Sequence, residues 1–353
     1  MTHSKQSLFI LVTAVALSLA MTPAFAKTIR YVANNGVDGA GCGTSTHPCR
    51  SISAAEASSR YGDTIMVGPG VYGDLNHDGV LGNSPGEETG SPYCSCMIWI
   101  NESGKVISTG GAEATILDAR MLDITANVQI AGPNIAFGEA GKGFTVTGTN
   151  AVDAGFYYGI YLSGGAGITV AGNQVLGFGA QMDSRGGQAY AIGVAVDPSV
   201  SVVQIQGNQV IGWVAAGIQG VPQTTISKNT AALNGVGLVS SGANITGNIT
   251  AGNTYTGVSM GTGGTVTGNA ILGNYYYGIY ASDALGTAEQ NNIFGNGCGV
   301  YAYAADLNAE NNYWGAATGP GPSPANGTCA GSAFVLLTPY ATTPFTVKVK
   351  IVP

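Results

Sequence analysis

ITVAGNQV at 168–175 returns as VQIQGNQV at 203–210, TTISKNTA at 224–231, ANITGNIT at 243–250, GTVTGNAI at 264–271, GTAEQNNI at 286–293 and LNAENNYW at 307–314. Each copy carries an asparagine, giving the series Asn173, Asn208, Asn229, Asn248, Asn269, Asn292 and Asn312. Successive spacings are 35, 21, 19, 21, 23 and 20 residues. A glycine followed by an aliphatic residue keeps step with it, at Gly159, Gly193, Gly217, Gly237, Gly257, Gly278 and Gly299. A period near 21 with short β-rich runs and no helical pattern marks a solenoid.

Each repeat is too short for a strand–helix pair and too poor in Leu for a leucine-rich horseshoe. It holds three short alternating runs, enough for one three-stranded rung of a parallel β-helix. Inward positions are expected at Ile168, Val170, Val175, Ile205, Val210, Ile211, Val266 and Ile271. A buried aliphatic side chain contributes roughly 1.5–3 kcal/mol, and here only the neighbouring rungs can bury it. The recurrent Gly-Asn marks a sharp turn, since both residues tolerate positive φ, and stacked amides can bond along a ladder. About ten rungs at ~4.8 Å give a rod near 50 Å long.

Residues 1–26 read as a secretory signal: Lys5, the apolar run Leu8–Ala20, then Ala24-Phe25-Ala26. The apolar run is too short to span a bilayer, so no transmembrane segment is expected. The expected product is secreted or periplasmic. Behind the signal the reading divides the chain into a cap and first rung (27–99), repeats (100–315) and a C-terminal cap (316–353). Charged residues are 9% of the chain and net charge is −7. An acidic, weakly charged chain is a poor partner for nucleic acid or anionic membrane. A monomer is expected. Six cysteines in an exported chain point to disulfides. Cys42 and Cys49 bracket one short loop, and Cys298 with Cys329 can tie the last rung to the tail. Cys94 and Cys96 bond to each other or elsewhere.

The run TIRYVANNGVDGAGCGTSTHPCRSISAAEASSRYGDTIMVGPGVY at 28–72 resembles the N-terminal cap of the pectate-lyase-like superfamily of right-handed parallel β-helix proteins. The resemblance implies a first strand at Ile29–Ala33, a capping helix near Ile52–Arg60, a Gly62-Asp63 turn and a strand ending in Pro69-Gly70-Val71-Tyr72. NNYWGAATGPGPSP (311–324) and TPYATTPF (338–345) resemble the C-terminal end of the same solenoid. The implied functions run from polysaccharide lyases, hydrolases and epimerases to adhesins, because function lives in sites grafted on folds.

Three groups of residues could carry chemistry. Asp74-Leu75-Asn76-His77-Asp78-Gly79-Val80 places oxygen ligands at positions 1, 3 and 5 and a carbonyl at 7, as in the first half of an EF-hand-type loop for Ca2+. Position 12 is Pro85, so Glu87 or Glu88 must supply the closing carboxylate; the plain reading is an acidic turn. The insertion GFGAQMDSRGGQAYAIG (177–193) accounts for the 35-residue gap, and loops that bulge from a solenoid often carry the site. Asp183, Arg185 and Lys228 are the residues a uronate lyase would use, with Asp153 and Asp197 nearby; the plain reading is a solvated loop with an ion pair. No Asp pair of the kind a glycoside hydrolase needs is evident. Tyr158, Tyr161, Tyr190, Tyr277, Tyr280 and Tyr301 cluster around the second anchor glycine, and Gly+2 faces outward by strand alternation. Outward tyrosines with Gln and Ser suit sugar rings; ordinary stacking of Tyr along a sheet is the plain alternative. Function therefore reads as binding or modifying polysaccharide, with a non-catalytic surface, adhesion or structural rod as the rival.

Overall fold

The computed structural model describes residues 27–149, 155–177, 190–261, 263–282, 286–303, 306–321 and 326–348. Its strands assort into a twelve-stranded sheet I and two nine-stranded sheets, II and III. One rung shows the path: Phe156–Leu162 lies in sheet III, Ala166–Ala171 in sheet I and Gln174–Leu176 in sheet II. The chain then returns to sheet III at Tyr190–Val196, and each strand pairs in parallel with its counterpart one rung on. This is the expected parallel β-helix.

The inward set stacks as the repeats imply. Ile160, Leu162, Ile168, Val170 and Val175 are fully buried, and so are Val194, Ile205 and Val210 of the next coil. Ile211 departs from expectation. It follows the buried Val210 in one short strand, so alternation turns it outward, and it is only half-buried.

The asparagine ladder is real, with one change of member. Each Asn Oδ1 accepts both the backbone N–H and the side-chain Nδ2 of the Asn one rung earlier, as in Asn208 with Asn229 at 2.9 and 3.0 Å. The row runs Asn173, Asn208, Asn229, Asn248, Asn269, Asn291, Asn312. Asn291, not Asn292, is the stacked residue. The positive φ belongs to the residue before each ladder asparagine: Gly172, Gly207, Lys228, Gly247, Gly268, Gln290 and Asn311. A second, unforeseen ladder lies between sheets II and III, through Asn234, Asn253, Asn274, Asn296 and Asn326. It explains four of the seven anchor glycines. A Cβ on Gly217, Gly237, Gly257 or Gly278 would stand 2.6–2.9 Å from the Nδ2 of a second-ladder asparagine.

Both ends are closed. At the N-terminus Ile29–Val32 extends sheet I, and α1 (Ile52–Ser58) is capped by Ser51 Oγ, which accepts from the Ala54 amide. The helix ends before Arg60 because Ser58 and Ser59 turn their hydroxyls back onto the Ala55 carbonyl. Pro69 separates two strands rather than ending one: Thr64–Val67 belongs to sheet I and Gly70–Gly73 opens sheet II. At the C-terminus Trp314 is fully buried and Val335–Leu336 completes sheet I. The tail then doubles back across the rungs. Asn311 N donates to Pro339 O and Ala341 N to Asn312 O, and Asn292 exchanges two 2.9 Å bonds with the Phe345 backbone.

Disulfides join Cys42 to Cys49, Cys94 to Cys96 and Cys298 to Cys329. The first and third are the expected pairs, and the open case resolves to a bond between near neighbours. No helix among the described residues is long and apolar enough to cross a membrane. The signal at 1–26 lies outside the described residues.

Candidate functional site: the outward face of sheet III

Register aligns one outward residue per rung on sheet III: Trp99, Gln129, Tyr161, Ala195, Gln219, Val239, Ser259, Tyr280 and Tyr301. Pleating puts the residue after each in the core, so a change of one residue in phase would bury this row. Aromatic groups occur at three places along it.

At the N-terminal end Tyr93, 73% exposed, lies against Trp99 with ring centroids 4.4 Å apart. The two rings stand over a cavity of about 690 Å³ that is also lined by Glu56, Asn101 and Glu102. Glu56 is buried beneath it. Its Oε1 accepts the amides of Asn101, Glu102 and Ser103, while Oε2 has no hydrogen-bond partner.

Two rungs along, ~10 Å away, Tyr158 and Tyr161 stack at 4.5 Å and Phe156 meets Tyr190 edge-on at 5.0 Å. The Tyr161 hydroxyl donates to Asp197 Oδ2 at 2.9 Å. Burial first, and that carboxylate second, push the Tyr161 hydroxyl up to about 12, so it remains a donor. Burial and the same carboxylate raise Tyr158 too. Asp197 is held below the ordinary carboxylate range by the Ser199 hydroxyl and amide, with Tyr161 adding to them against desolvation.

The third group spans the last rungs. Tyr277 and Tyr280 each stack on Tyr301, at 5.2 and 5.8 Å, with Tyr255, Tyr275, Tyr276 and Tyr303 around them. Loss of solvent around the packed rings, then their neighbours, raises the Tyr277 and Tyr280 hydroxyls. Between the second and third groups the row carries Ala195, which is buried, then Gln219, Val239 and Ser259, so aliphatic and neutral hydrogen-bonding residues alternate between the rings.

The six tyrosines expected to bind substrate thus fall into two clusters on one sheet. The other expected residues lie elsewhere. Lys228 is exposed at the turn between sheets I and II, lining a cavity of about 680 Å³ with Glu113, Gln209 and Lys348. Its backbone is left-handed at φ 57°, in the place glycine fills in most other rungs. The 177–193 insertion leaves from sheet II and returns to sheet III, at a different corner of the rod. Asp153, Asp183 and Arg185 lie outside the described residues. Asp74, Asn76, Asp78 and Val80 form a tight turn beside the cap, where Asp118 meets His77 and Arg120.

Trp99, Tyr93 and Glu56 were not among the expected site residues. The signal for Trp99 is its register beneath Tyr161. The glycine anchor does not mark it, because Met97 and Asn127 stand in the glycine's place on the first two coils.

The model of the family "Periplasmic copper-binding protein (NosD)" matches residues 188–316. Comparison with curated protein sequences gives no match. Among solved structures, pectate lyase Pel9A is similar at 16% identity and TM-score 0.54, over 89% of this chain and 78% of that one. The A-module of mannuronan C-5 epimerase AlgE4 from Azotobacter vinelandii is similar at 15% identity and TM-score 0.49, over 78% of this chain and 72% of that one. The chain is a right-handed parallel β-helix of the pectate-lyase-like type.

Proposed function

We propose that this is an exported glycan-binding rod that holds a neutral polysaccharide along the outward face of sheet III. The observation that carries the reading is the single register row running from Trp99 through Tyr161 to Tyr280 and Tyr301. Aromatic rings at intervals on a rigid surface offer platforms for the apolar faces of sugars, and Gln, Ser and phenol groups meet their hydroxyls. Among the described residues the charged groups at the row's aromatic sites are carboxylates: Glu56 and Glu102 at the cavity under Trp99, and Asp197, held by Tyr161 and Ser199. A face carrying carboxylate and phenol favours neutral sugars over uronates. The three disulfides suit an oxidising compartment.

Copper binding, the activity in the matching family's name, does not carry over. Copper favours imidazole, thiolate and thioether ligands. Residues 188–316 contain no His, their one Cys is Cys298, and their one Met is Met260. Cys298 is in a disulfide and Met260 is buried.

A second reading rests on the cavity between sheets I and II, where Lys228 and Lys348 face Glu113. Two ammonium groups there favour an acidic sugar, and Lys228 is the proton acceptor a uronate lyase would use. One experiment separates the readings. Affinity electrophoresis against neutral polysaccharides and polyuronides is run beside an assay for the unsaturated product of β-elimination, with and without Ca2+. Retardation by a neutral polymer, lost in Trp99→Ala and Tyr280→Ala, supports the rod. Unsaturated product, lost in Lys228→Ala or Arg185→Ala, would replace it with a lyase. Neither retardation nor product on any polymer overturns both.

A further inference from the structure

The loop that leaves sheet II after Gly73 contains a carboxylate oxygen with nothing to bind. Asp74 is 1% exposed; its Oδ2 accepts the Gly79 amide at 2.7 Å, and its Oδ1 is enclosed without a hydrogen-bond partner. Enclosing an ionised oxygen unpaired is costly, and such groups otherwise pair or coordinate a metal. The residues around it offer oxygens. Asn76 Oδ1 accepts the Asp78 amide, Asp78 Oδ1 accepts the Val80 amide, and the buried Glu87 accepts the amides of Asn76 and Ser84. Left-handed backbone at His77 (φ 60°) and Gly79 (φ 85°) winds the loop around Asp74.

We propose that this loop binds one calcium ion through Asp74, Asn76, Asp78, the Val80 carbonyl and Glu87. An all-oxygen set of carboxylates, an amide and a carbonyl in a flexible loop suits calcium rather than a softer metal. The loop's one imidazole is spoken for, since His77 Nε2 lies 3.7 Å from Asp118. Among the described residues the only tight group of three potential Asp, Glu, His or Cys ligands is Asp38, Cys42 and Cys49, whose cysteines form a disulfide. Asp74, Asp78 and Glu87 are therefore not drawn together, and Asp78 is the member that must move: its Oδ2 is held by Asn76 and Asn83 at the surface.

The ion would do more than close a loop. Glu88 follows Glu87 directly and accepts the amides of Ile52 and Ser53 and the Ser53 hydroxyl at the start of α1. Fixing Glu87 fixes that contact, and so ties the loop to the cap helix. The proposal is independent of any glycan.

The test uses the full chain, stripped with chelator, titrated with CaCl2 by calorimetry and followed by thermal melts. One ion per chain is expected, with a dissociation constant on the order of 10⁻⁴–10⁻³ M, as in extracellular modules. Melting temperature should rise with calcium, and cleavage of residues 75–86 by protease should slow. Asp78→Asn, at an exposed position, should fold and weaken binding at least ~10-fold, and Asp74→Asn should abolish it. No uptake by the wild-type chain at ~10 mM calcium overturns the proposal, as does Asp78→Asn binding like wild type. If Asp74→Asn does not fold, Asp78→Asn and the wild-type titration still decide.

Discussion

Cutting Asn248 to alanine should be among the most damaging single changes in the rod. Its Oδ1 accepts both N–H groups of Asn229, at 2.9 and 3.0 Å, and its Nδ2 donates to Ile226 O, Thr246 O and Asn269 Oδ1. The residue is fully buried. Alanine removes the acceptor and leaves the Asn229 amide enclosed with no partner, costing about 1–3 kcal/mol. Asn229 Nδ2 keeps Ile205 O, so that side is cushioned. The carbonyls of Ile226 and Thr246 each lose a donor, adding about 1 kcal/mol apiece. The expected loss is roughly 3–5 kcal/mol. The control is Asn244→Ala, an exposed neighbour bonded to Thr265 alone, which should cost under about 0.5 kcal/mol. Urea unfolding is followed by far-UV circular dichroism and by the fluorescence of Trp213, two rungs from the lesion, because a solenoid need not melt as one unit. If the two variants share one midpoint, the ladder is a by-product of stacking and the reasoning fails.

Three other outcomes follow from the same geometry. Gly237→Ala sets a Cβ 2.5 Å from the Gly257 carbonyl and 2.8 Å from Asn253 Nδ2, and should cost more than about 2 kcal/mol in a urea melt. At Gly247, in open space with φ 64°, alanine should cost only about 1 kcal/mol of backbone strain. Asp197→Asn should erase a pH effect: the depressed folded pKa means its stabilisation is complete above the unfolded value of about 3.9 and fades as pH falls through the folded value. Melting temperatures of wild type and Asp197→Asn should therefore differ at pH 7 and draw together as pH falls below about 3.9; a constant gap would remove the carboxylate from the account. In glycan binding, Trp99→Ala should weaken retardation more than Tyr303→Ala, since Trp99 sits in the register row over a cavity and Tyr303 lies at its edge.

The coil was legible because each rung repeats its own pattern, and Tyr161, Tyr280 and Tyr301 could be assigned to the outward row because Gly+2 fixes a direction. The failures have local causes. In the pair Asn291-Asn292 spacing cannot say which side chain turns inward; the structure buries Asn291 in the ladder and gives Asn292 to the tail. The second ladder was hidden because Asn234, Asn253 and Asn274 sit in ordinary turn sequences, though the glycines they require were in plain view. Trp99 belongs to a coil built before the repeat settles. Neither Glu56 nor the orphan oxygen of Asp74 could be read from sequence, because Glu56 depends on amides 45 residues away and Asp74 on how its loop winds.

The returning tail changes how the far end can come apart. In a stack where each rung touches only its neighbours, the last coil opens first and opening spreads inward by single steps. Here the tail is bonded beside Asn312, again at Asn292, and reaches the cavity of Lys228. No terminal coil can fray until that strap has let go of earlier ones. Hydrogen exchange should accordingly find the coils from Lys228 to Asn312 protected as one block, with a sharp step in place of a gradient.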